Sequence, residues 1–461
     1  MNEMKPLVRA SLLLLLVLPL FLAPGVSLVR DLVDPALAGP GVPARAVRMQ
    51  AAMSPRLEAW AKERVRTGAA AHASLHDVPT TEWPMFTAVF YLLGTESLQR
   101  AWEQGELGTG PSPASSSRGA IDAARALLLD PSHHTWVRTH WGDDYLHTQN
   151  VFFRSLLIAG LTSHVNLTHD PSDLPMLRDQ VETLIAALDA SRFGLLEDYP
   201  GECYPIDVVA ALGFLQQADA ALGTDHSAFF ARSLRAFRPP MSDALGLPRF
   251  RVALPSGEQV QPSRGIGTSW SLAFAPALWP EAGRDWYARY EQSFWQDHGW
   301  AAGFREYERG TEAEWTFEID AGPVLDGFGT AASAFGIAGA RRNGRFDHAW
   351  ALSSELSAAS WTLPFETMLL PRALSHAADA PFLGEAAILH FLTVQPVSGV
   401  PIVAPQRALS GLVLFGLFVY FGVPLAALAR VLVLWRRWRA ATSSAGAGSP
   451  GTPGGLLHGA R

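Results

Sequence analysis

The sequence predicts an all-α protein: an (α/α)6 toroid, or barrel, of six helical hairpins, flanked by two apolar membrane-related segments. Two observations lead to this prediction. Apolar helical runs recur at intervals of about 58 to 62 residues, which is the length of one helical hairpin with its loops. Both ends of the chain also carry apolar stretches long enough for a signal sequence or a membrane span.

The first apolar segment lies at the N-terminus and is assigned to residues 1–30. Lys5 and Arg9 precede an apolar run from Ala10 to Val29, which is the pattern of a signal peptide or a signal anchor. No clear cleavage site follows the run, so both alternatives stay open.

The second apolar segment, Leu409 to Ala429, is followed by an arginine-rich stretch, Arg430 to Arg439. A buried core helix is the alternative, but the length and the arginines favour a transmembrane helix over residues 409–435. By the positive-inside rule both termini are cytoplasmic, and residues 45–405 form a periplasmic, extracytoplasmic domain at a bacterial cell membrane. The Gly-, Ser- and Pro-rich tail, residues 440–461, is predicted to be a disordered cytoplasmic tail.

Between these segments the apolar runs are predicted to be inner helices, and amphipathic segments between them are predicted to be outer helices. An open helical solenoid is the alternative, but closure is favoured because about six units occur without an obvious capping repeat. Residues 248–254 with 259–261 are expected to form a strand hairpin, and residues 316–319 a short strand. The inner runs begin near Glu82, Asp144, Pro205, Gly265, Pro323 and Pro381.

Composition and missing motifs exclude several classes of function. With a net charge of −7 and no basic patch outside the membrane flanks, the domain is not expected to bind nucleic acid. The single cysteine excludes an internal disulfide and a Cys-based zinc site. Histidines and aspartates within residues 133–147 lack a recognised ligand spacing, so no metal is expected. The absence of a GxSxG elbow, a P-loop and a complete GxGxxG argues against serine-triad hydrolysis, nucleotide hydrolysis and nicotinamide chemistry. No cofactor is expected.

The segment from Tyr199 to Asp207, which reads Tyr-Pro-Gly-Glu-Cys-Tyr-Pro-Ile-Asp, is the strongest candidate for chemistry. Its second proline fits the first position of a helix, so acids, a thiol and phenols meet a partly positive helix N-terminus. Glu202 and Cys203 are predicted to be catalytic, and Tyr199 and Tyr204 to bind substrate. The structural alternative is that the aspartate complements the helix dipole and the cysteine is a buried apolar residue.

A polar stripe is predicted on the second inner helix. An apolar helix needs partners or a water-filled cavity for such a stripe. Asp143 orienting His147 would form an acid/base pair, so both are predicted to be catalytic. A hydrogen-bond network between inner helices is the alternative. The stripe residues, at helical spacing, are Asp143, His147, Asn150 and Arg154.

Other polar and aromatic residues are expected to converge with this segment, because the loops at the N-terminal ends of the inner helices meet there. Each alone could be an ordinary solvated loop residue, and the convergence is the argument for including it. Those assigned to substrate binding are Asp144, Arg264, Trp270, Trp300, Glu306 and Asp320.

Three stretches carry a resemblance to a known family: Asn150-Val-Phe-Phe-Arg-Ser-Leu-Leu, Pro200-Gly-Glu-Cys203 and Arg264-Gly-Ile-Gly-Thr-Ser-Trp. They resemble the linalool dehydratase/isomerase family. The resemblance implies a periplasmic (α/α)6 barrel that removes water from, or isomerises, a terpene alcohol without a cofactor, using an Asp, a His, tyrosines and two cysteines. Residue by residue, the resemblance carries over only to Glu202, Cys203 and His147. The chain departs from the family in lacking a second cysteine and in having a C-terminal membrane anchor.

Three functions stay open for the small-molecule site of this membrane-anchored protein. The leading hypothesis is a cofactor-free hydro-lyase or isomerase acting on an isoprenoid-like alcohol by acid/base catalysis. The second is a carbohydrate-active enzyme of the cell envelope, a glycoside hydrolase or polysaccharide lyase, with Glu202 paired with Asp144 or Asp320 on a glycan. The third is a non-catalytic scaffold that binds a lipid or a partner protein.

Overall fold

The structure, a computed structural model, describes residues 4–72, 78–311, 315–318, 321–376 and 379–446. Most of these residues are helical, which confirms the predicted predominance of helices. The first helices are α1 (Met4–Val17), α2 (Ala23–Val33), α3 (Ala44–Thr67), α4 (Val78–Glu103), α5 (Pro113–Ser116), α6 (Arg118–Leu129), α7 (Thr135–Trp141), α8 (Val151–Thr168), α9 (Leu174–Ala190) and α10 (Pro205–Leu222). The others are α11 (Ser227–Ser233), α12 (Gly265–Leu272), α13 (Ala275–Leu278), α14 (Pro280–Phe294), α15 (Thr330–Arg342), α16 (Phe346–Ala359), α17 (Leu369–His376), α18 (Leu383–Thr393) and α19 (Gly411–Gly446).

Six helices are buried along most of their length, and we name them the inner helices: α4, α8, α10, α12, α15 and α18. Each contacts the next in this order, and α18 contacts α4. Aromatic rings from several of them meet. The ring centroid of Phe90 on α4 lies 5.9 Å from that of Trp270 on α12, 6.1 Å from Phe335 on α15 and 5.6 Å from Phe391 on α18. These contacts bring helices that are far apart in sequence around one apolar centre.

The inner helices run in parallel, because outer helices return the chain between them. Among these, α6 contacts α4 and α8, α9 contacts α8 and α10, α14 contacts α12, and α16 contacts α15. Residues near the N-terminal ends of neighbours are therefore in contact, as are Phe86 of α4 and Phe152 of α8, whose centroids are 5.0 Å apart. We name the N-terminal ends of the inner helices, with the connections that lead into them, the loop end.

The described strands lie in the connections of the loop end and pair antiparallel. The hairpin expected from residues 248–254 and 259–261 is confirmed as β1–β2. Strand β5 covers residues 316–318 of the expected short strand, and residue 319 lies outside the described residues. The strands are β1 (Arg251–Ala253), β2 (Glu258–Gln261), β3 (Trp295–Asp297), β4 (Ala302–Phe304), β5 (Trp315–Glu318), β6 (Gly322–Leu325), β7 (Phe328–Gly329), β8 (Thr362–Leu363) and β9 (Thr367–Met368).

Two of the predicted inner-helix starts are wrong by seven residues. The run near Asp144 becomes helical only at Val151, because Gly142 and Asn150 have φ angles of +81° and +60°, which a right-handed helix does not accommodate. The run near Pro323 first forms strand β6, and its helix begins at Thr330. The predicted starts at Pro205 and Gly265 are confirmed, and those near Glu82 and Pro381 lie within four residues of the observed starts.

Two helical stretches, Lys5–Val33 and Gly411–Ser443, are long and apolar enough to cross a membrane, which indicates membrane association. They contact each other closely at Gly25, where an added Cβ would lie 3.0 Å from both Tyr420 and Phe421. A small residue at this point lets the two backbones approach, as in other helix pairs within membranes.

Polar contacts join these two stretches to the rest of the protein. Asp31, buried near the end of α2, forms an ion pair with Arg45 at the start of α3. The Tyr420 hydroxyl donates a hydrogen bond of 2.6 Å to the carbonyl oxygen of Ala358 in α16. The Trp361 indole N–H donates a hydrogen bond of 2.8 Å to the carbonyl oxygen of Leu20. Ala358 and Trp361 lie where α16 ends and the connection that enters α18 begins, so these two contacts bring both stretches against the domain near its loop end.

Candidate active site at the loop end

The segment from Tyr199 to Asp207 forms a tight turn that leads into α10. The Glu202 N–H donates to the Tyr199 carbonyl at 2.8 Å, and the Asp198 N–H donates to the Glu202 carbonyl at 2.9 Å. Gly201 has a φ of +82°, which favours glycine at the tip of the turn. The carbonyl of Cys203 then accepts a 3.0 Å hydrogen bond from the Val252 N–H of β1. The turn is thus held between an inner helix and a hairpin.

A buried carboxyl group, Asp198, lies directly before this turn. Its Oδ2 accepts a 2.7 Å hydrogen bond from the Tyr204 N–H, and its Oδ1 is buried without a hydrogen-bond partner among the described residues. Burial, followed by the charges of Asp207 and Glu82, raises the pKa of Asp198 well above its usual value. A raised pKa favours the protonated carboxyl group, which can act as a proton donor.

A phenol–carboxylate pair lies beside this acid. The Tyr199 hydroxyl donates to both carboxylate oxygens of Glu82 at 2.7 Å, and Glu82 is buried near the start of α4. Burial and the charge of Glu82 raise the pKa of Tyr199 well above its usual value. Asp198, Glu82 and Tyr199 together provide groups that can donate and accept protons above the apolar centre, and we name them the acid cluster.

Glu202 and Tyr204 lie on the other side of the turn. The Tyr204 hydroxyl donates to Glu202 Oε2 at 2.5 Å, and Arg251 lies 3.4 Å from Glu202 Oε1. Burial and then the hydrogen bond to Glu202 raise the pKa of Tyr204. Glu202 is half-exposed, whereas Asp198 is fully buried.

Cys203 is buried, and its environment disfavours a nucleophilic thiolate. Burial and the nearby carboxylates of Asp198 and Glu197 raise the pKa of this thiol well above its usual value. The thiol therefore fits the packing role that the sequence left open as the alternative.

We expect the Cys203 thiol to react with N-ethylmaleimide roughly 100-fold more slowly in the folded protein than after denaturation, because the thiolate is disfavoured and the sulfur is inaccessible. Mass spectrometry of timed reactions at pH 7 measures both rates, and the denatured chain serves as the control for one reactive thiol. Comparable rates in the two states would show that the thiol is exposed and reactive.

A second group of ionisable residues is centred on Arg264, at the start of α12. Arg264 Nε lies 2.8 Å from Glu306 Oε1, and the same guanidinium also forms an ion pair with Glu318. The Tyr307 hydroxyl donates to Glu318. Burial raises the pKa of Glu306 to about 7, although the Arg264 charge opposes the shift. Glu306 thus titrates in the range useful for acid/base catalysis.

Close backbone packing holds this group in position. The Gly265 N–H donates to the Glu306 carbonyl at 2.8 Å, and an added Cβ on Gly265 would lie 2.0 Å from the Arg305 carbonyl oxygen. A glycine is therefore required where the Glu306 loop crosses the start of α12. Beside the group is a cavity of about 210 Å3. Its lining residues are Gln261, Pro262, Ser263, Arg264, Tyr307, Glu308, Thr311 and Glu318.

Aromatic rings connect the two groups. The Tyr204 ring centroid is 6.3 Å from that of Tyr199 and 5.4 Å from that of Phe250. The Arg264 guanidinium lies 4.8 Å from the Phe250 ring centroid. Tyr199, Tyr204, Arg264 and Glu306, all predicted from the sequence, therefore lie at the same end of the inner helices.

The predicted pair of Asp143 and His147 is wrong, because residues 142–150 form turns and not a helix. Asp143 is exposed and its carboxylate lies 2.7 Å from Arg138 Nε. His147 instead contacts Asp144 through Nδ1 at 2.8 Å and Asp179 through Nε2 at 3.0 Å, and these hydrogen bonds raise its pKa. This arrangement is a surface network.

The remaining predicted residues are distributed as follows. Trp270 is buried in the aromatic centre and not at the surface of the loop end. Trp300 is partly exposed at the tip of the β3–β4 hairpin, and its carbonyl accepts a 2.7 Å hydrogen bond from the Leu412 N–H at the start of α19. Asp320 lies outside the described residues.

Sequence reasoning missed Asp198, Glu82 and Tyr307. Asp198 directly precedes the singled-out turn and Glu82 opens the first apolar run, so proximity to helix starts was an available signal. Their burial was not visible in the sequence, because it results from loops that are far apart in the chain. Among the described residues, no group of three His, Cys, Asp or Glu side chains is arranged to hold a metal ion.

No model of a known protein family matches the chain, and no curated protein sequence matches it significantly.

Proposed function

We propose that the inner and outer helices form an (α/α)6 toroid whose mouth is the loop end. Each inner helix contacts the next one along the chain, and the last contacts the first, which supports closure. So does the meeting of aromatic rings from α4, α12, α15 and α18 around one centre. The arginines after the second apolar stretch support an extracytoplasmic position for this domain.

We propose that the protein is a cofactor-free lyase or isomerase that acts on an isoprenoid-like alcohol at the mouth. The observation that carries this proposal is the acid cluster, in which burial and charge repulsion favour a neutral Asp198 beside the Tyr199–Glu82 pair. The resemblance of the surrounding stretches to the linalool dehydratase/isomerase family agrees with this reaction class. Because the chain has one cysteine, a two-thiol mechanism is not available to it.

Dehydration needs one proton donor and one proton acceptor. In the proposed reaction Asp198 donates its proton to the hydroxyl oxygen, the C–O bond breaks and water leaves. The Glu82 carboxylate, oriented by the Tyr199 hydroxyl, accepts a proton from the adjacent carbon, and the C–H electron pair forms the double bond. The products are an alkene and water, with no change of oxidation state that would require a redox partner. Glu202 and Tyr204 border the substrate.

A carbohydrate-active enzyme is the second candidate, and the pair of Glu306 and Glu318 favours it. Both carboxylates contact Arg264 beside the cavity, and Glu306, with a pKa of about 7, has the properties of a general acid. Hydrolysis of a glycan but not conversion of an alcohol would support this alternative.

The test is turnover by the full chain in detergent or nanodiscs, with isoprenoid alcohols and envelope glycans as probes and products followed by mass spectrometry. We expect conversion of an isoprenoid alcohol, and a decrease in kcat of about 100-fold in Glu82→Gln because proton transfer is lost. Glu281→Gln, an exposed acid on α14, is the matched control and should retain full activity. Conversion that is equal in Glu82→Gln and wild type would contradict the proposed site.

A further inference from the structure

Both apolar stretches contact the domain near the loop end. Gly411 and Leu412, at the start of α19, donate backbone hydrogen bonds to the carbonyls of Gly299 and Trp300 in the β3–β4 turn. On the other stretch, the Phe21 ring centroid lies 5.1 Å from that of Trp361, which follows α16. The contacted residues, 299–300 and 361, belong to connections that enter inner helices. The mouth of the proposed toroid is thus next to the apolar stretches.

Counting along the stretches places Trp361 within the depth of a bilayer. A hydrocarbon core of about 30 Å is crossed by roughly 20 helical residues. The first apolar run extends from residue 10 to 29 and the second from residue 409 to 429, so Leu20 and Tyr420 lie near the middle of their runs. Trp361 contacts both, by a 2.8 Å hydrogen bond to Leu20 and a ring-centroid distance of 5.1 Å to Tyr420.

The exposed side of α19 also indicates that this part of the domain lies at the depth of the bilayer. Gly416 packs against Ala358 at the end of α16, with an added Cβ only 3.3 Å from the Ala358 side chain. On the exposed side of the same turns, Phe415 and Phe418 are 63% and 73% exposed. Apolar side chains so exposed at this level need a lipid environment, so the end of α16 lies at the level of the lipid.

Helix α17 presents an apolar face beside this contact. Leu369, Leu370 and Leu374 are exposed, whereas Arg372 points back to an ion pair with Glu385 of α18. The backbone N–H of Leu369 donates to the carbonyl of Trp361, so the helix begins next to the apolar stretches. An amphipathic helix whose cation is paired on the domain side is suited to the surface of a bilayer.

The β5–β6 hairpin presents a second apolar face. Trp315 and Phe317, at alternate positions of β5, are 71% and 69% exposed, and Leu325, opposite Trp315, is also exposed. Leu325 pairs with Phe328, whose ring centroid is 5.5 Å from that of Trp300 beside α19. Alternation along β5 directs Glu318 to Arg264 and the cavity. One strand therefore lies between the candidate cavity and an exposed apolar surface.

We infer that the loop end is seated in the surface of the phospholipid bilayer, with α17 and the β5–β6 hairpin among the lipids, so that the ligand enters the mouth from the membrane. Continuity with the two apolar stretches favours lipid over a partner protein as the occupant of these faces. The lipid contact stands independently, whereas the identity of the ligand as a membrane-dissolved isoprenoid alcohol rests on the proposed function.

The test uses the full chain in vesicles of phosphatidylcholine and phosphatidylglycerol. An environment-sensitive fluorophore is attached through Phe317→Cys or Leu370→Cys, which is selective because the native Cys203 is buried. The control is Gln104→Cys, an exposed position at the opposite end, just after α4. We expect spin-labelled phosphatidylcholine to quench the labels at 317 and 370 at least roughly threefold more than the label at 104, and aqueous iodide to show the reverse order.

Two results would overturn the inference. Labels at 317 and 370 that are as accessible to iodide as the label at 104 would show that the faces lie in water. Labels protected from both quenchers would show that protein covers them.

The double variant Leu370→Glu with Leu374→Glu tests whether the lipid contact affects catalysis. It should decrease lipid quenching at 317 and raise the KM for vesicle-dissolved alcohol several-fold, while detergent-dispersed alcohol is converted as by wild type. Normal quenching without conversion of any alcohol would reject the proposed function and retain the lipid surface. An unchanged KM in vesicles would reject entry from the membrane.

Discussion

Asp198→Asn is expected to lower kcat by about 10²- to 10⁴-fold, because the amide cannot deliver the proton that the leaving hydroxyl requires. Asn retains the shape of Asp and can keep the 2.7 Å hydrogen bond from the Tyr204 N–H through its carbonyl oxygen. The measurement is kcat and KM of the full chain with the alcohol found by screening. The loss should appear in kcat and not in KM, because the substitution removes the proton donor without changing the size of the side chain.

The same substitution is expected to stabilise the folded protein. Burial raises the pKa of Asp198 above its ordinary value of 3.8, so the folded state retains a proton that the unfolded chain releases. The wild type therefore loses stability as pH rises from about 4 towards the folded pKa, and Asn does not have this cost. The Tm of Asp198→Asn should equal that of the wild type near pH 4 and exceed it by several degrees near pH 8.

Asp285→Asn is the matched control, because Asp285 is an exposed acid on α14 paired only with Arg289 within the described residues. It should change neither kcat nor the pH dependence of Tm. A loss of activity in Asp198→Asn together with a lower Tm at all pH values would indicate a purely structural role. Unchanged kcat would remove Asp198 from the mechanism.

Arg264→Met is expected to destabilise the protein by about 3–5 kcal/mol at pH 8, the usual cost of leaving a buried charge without its partner. Glu306 is fully buried, and Arg264 provides its ion pair at 2.8 Å. The pKa of Glu306, already about 7, should rise further without the guanidinium. Because a raised carboxyl pKa costs stability as pH increases, the loss should be smaller at pH 5 than at pH 8.

Thermal unfolding in detergent measures this effect in single and double variants. Adding Glu306→Gln to Arg264→Met should recover much of the loss at pH 8, since no buried charge remains. Arg289→Met removes an exposed ion pair with Asp285 and should cost less than about 1 kcal/mol. Equal costs for the two arginine variants, or no recovery in the double variant, would contradict the proposed dependence of Glu306 on Arg264.

The sequence predicts the position of a helix correctly where neighbouring residues determine it. Pro205 begins α10 because proline suits the first turn of a helix, and the apolar spacing of residues 205–222 persists over the whole helix. Between residues 142 and 150 the local pattern predicts the wrong structure. The helical spacing of Asp143 and His147 is real in the sequence, but left-handed residues such as Asn150 break the helix that the spacing assumed.

Part of the candidate site could also be predicted from the sequence, because several of its residues lie beside helix starts. Tyr199, Arg264 and Glu306 lie beside helix starts, where convergence of loops could be foreseen. The choice among acids could not be foreseen, because Glu202 is half-exposed and Asp198 is fully buried although only three residues separate them. Burial raises the pKa of Asp198, and this burial depends on residues that are distant in the sequence, such as Glu82 of α4.

The sequence by itself determined the helical character of the protein, its two membrane-length apolar stretches and the segment that enters α10. Periodicity, length and proline or glycine positions are local properties, so neighbouring residues suffice to specify them. Only the tertiary structure decided that Asp198, Glu82 and Tyr199 meet, that Arg264 lies between two glutamates, and that the loop end is on the side of the apolar stretches. These are contacts between distant parts of the chain, and their electrostatic and hydrophobic consequences depend on burial that no local pattern encodes.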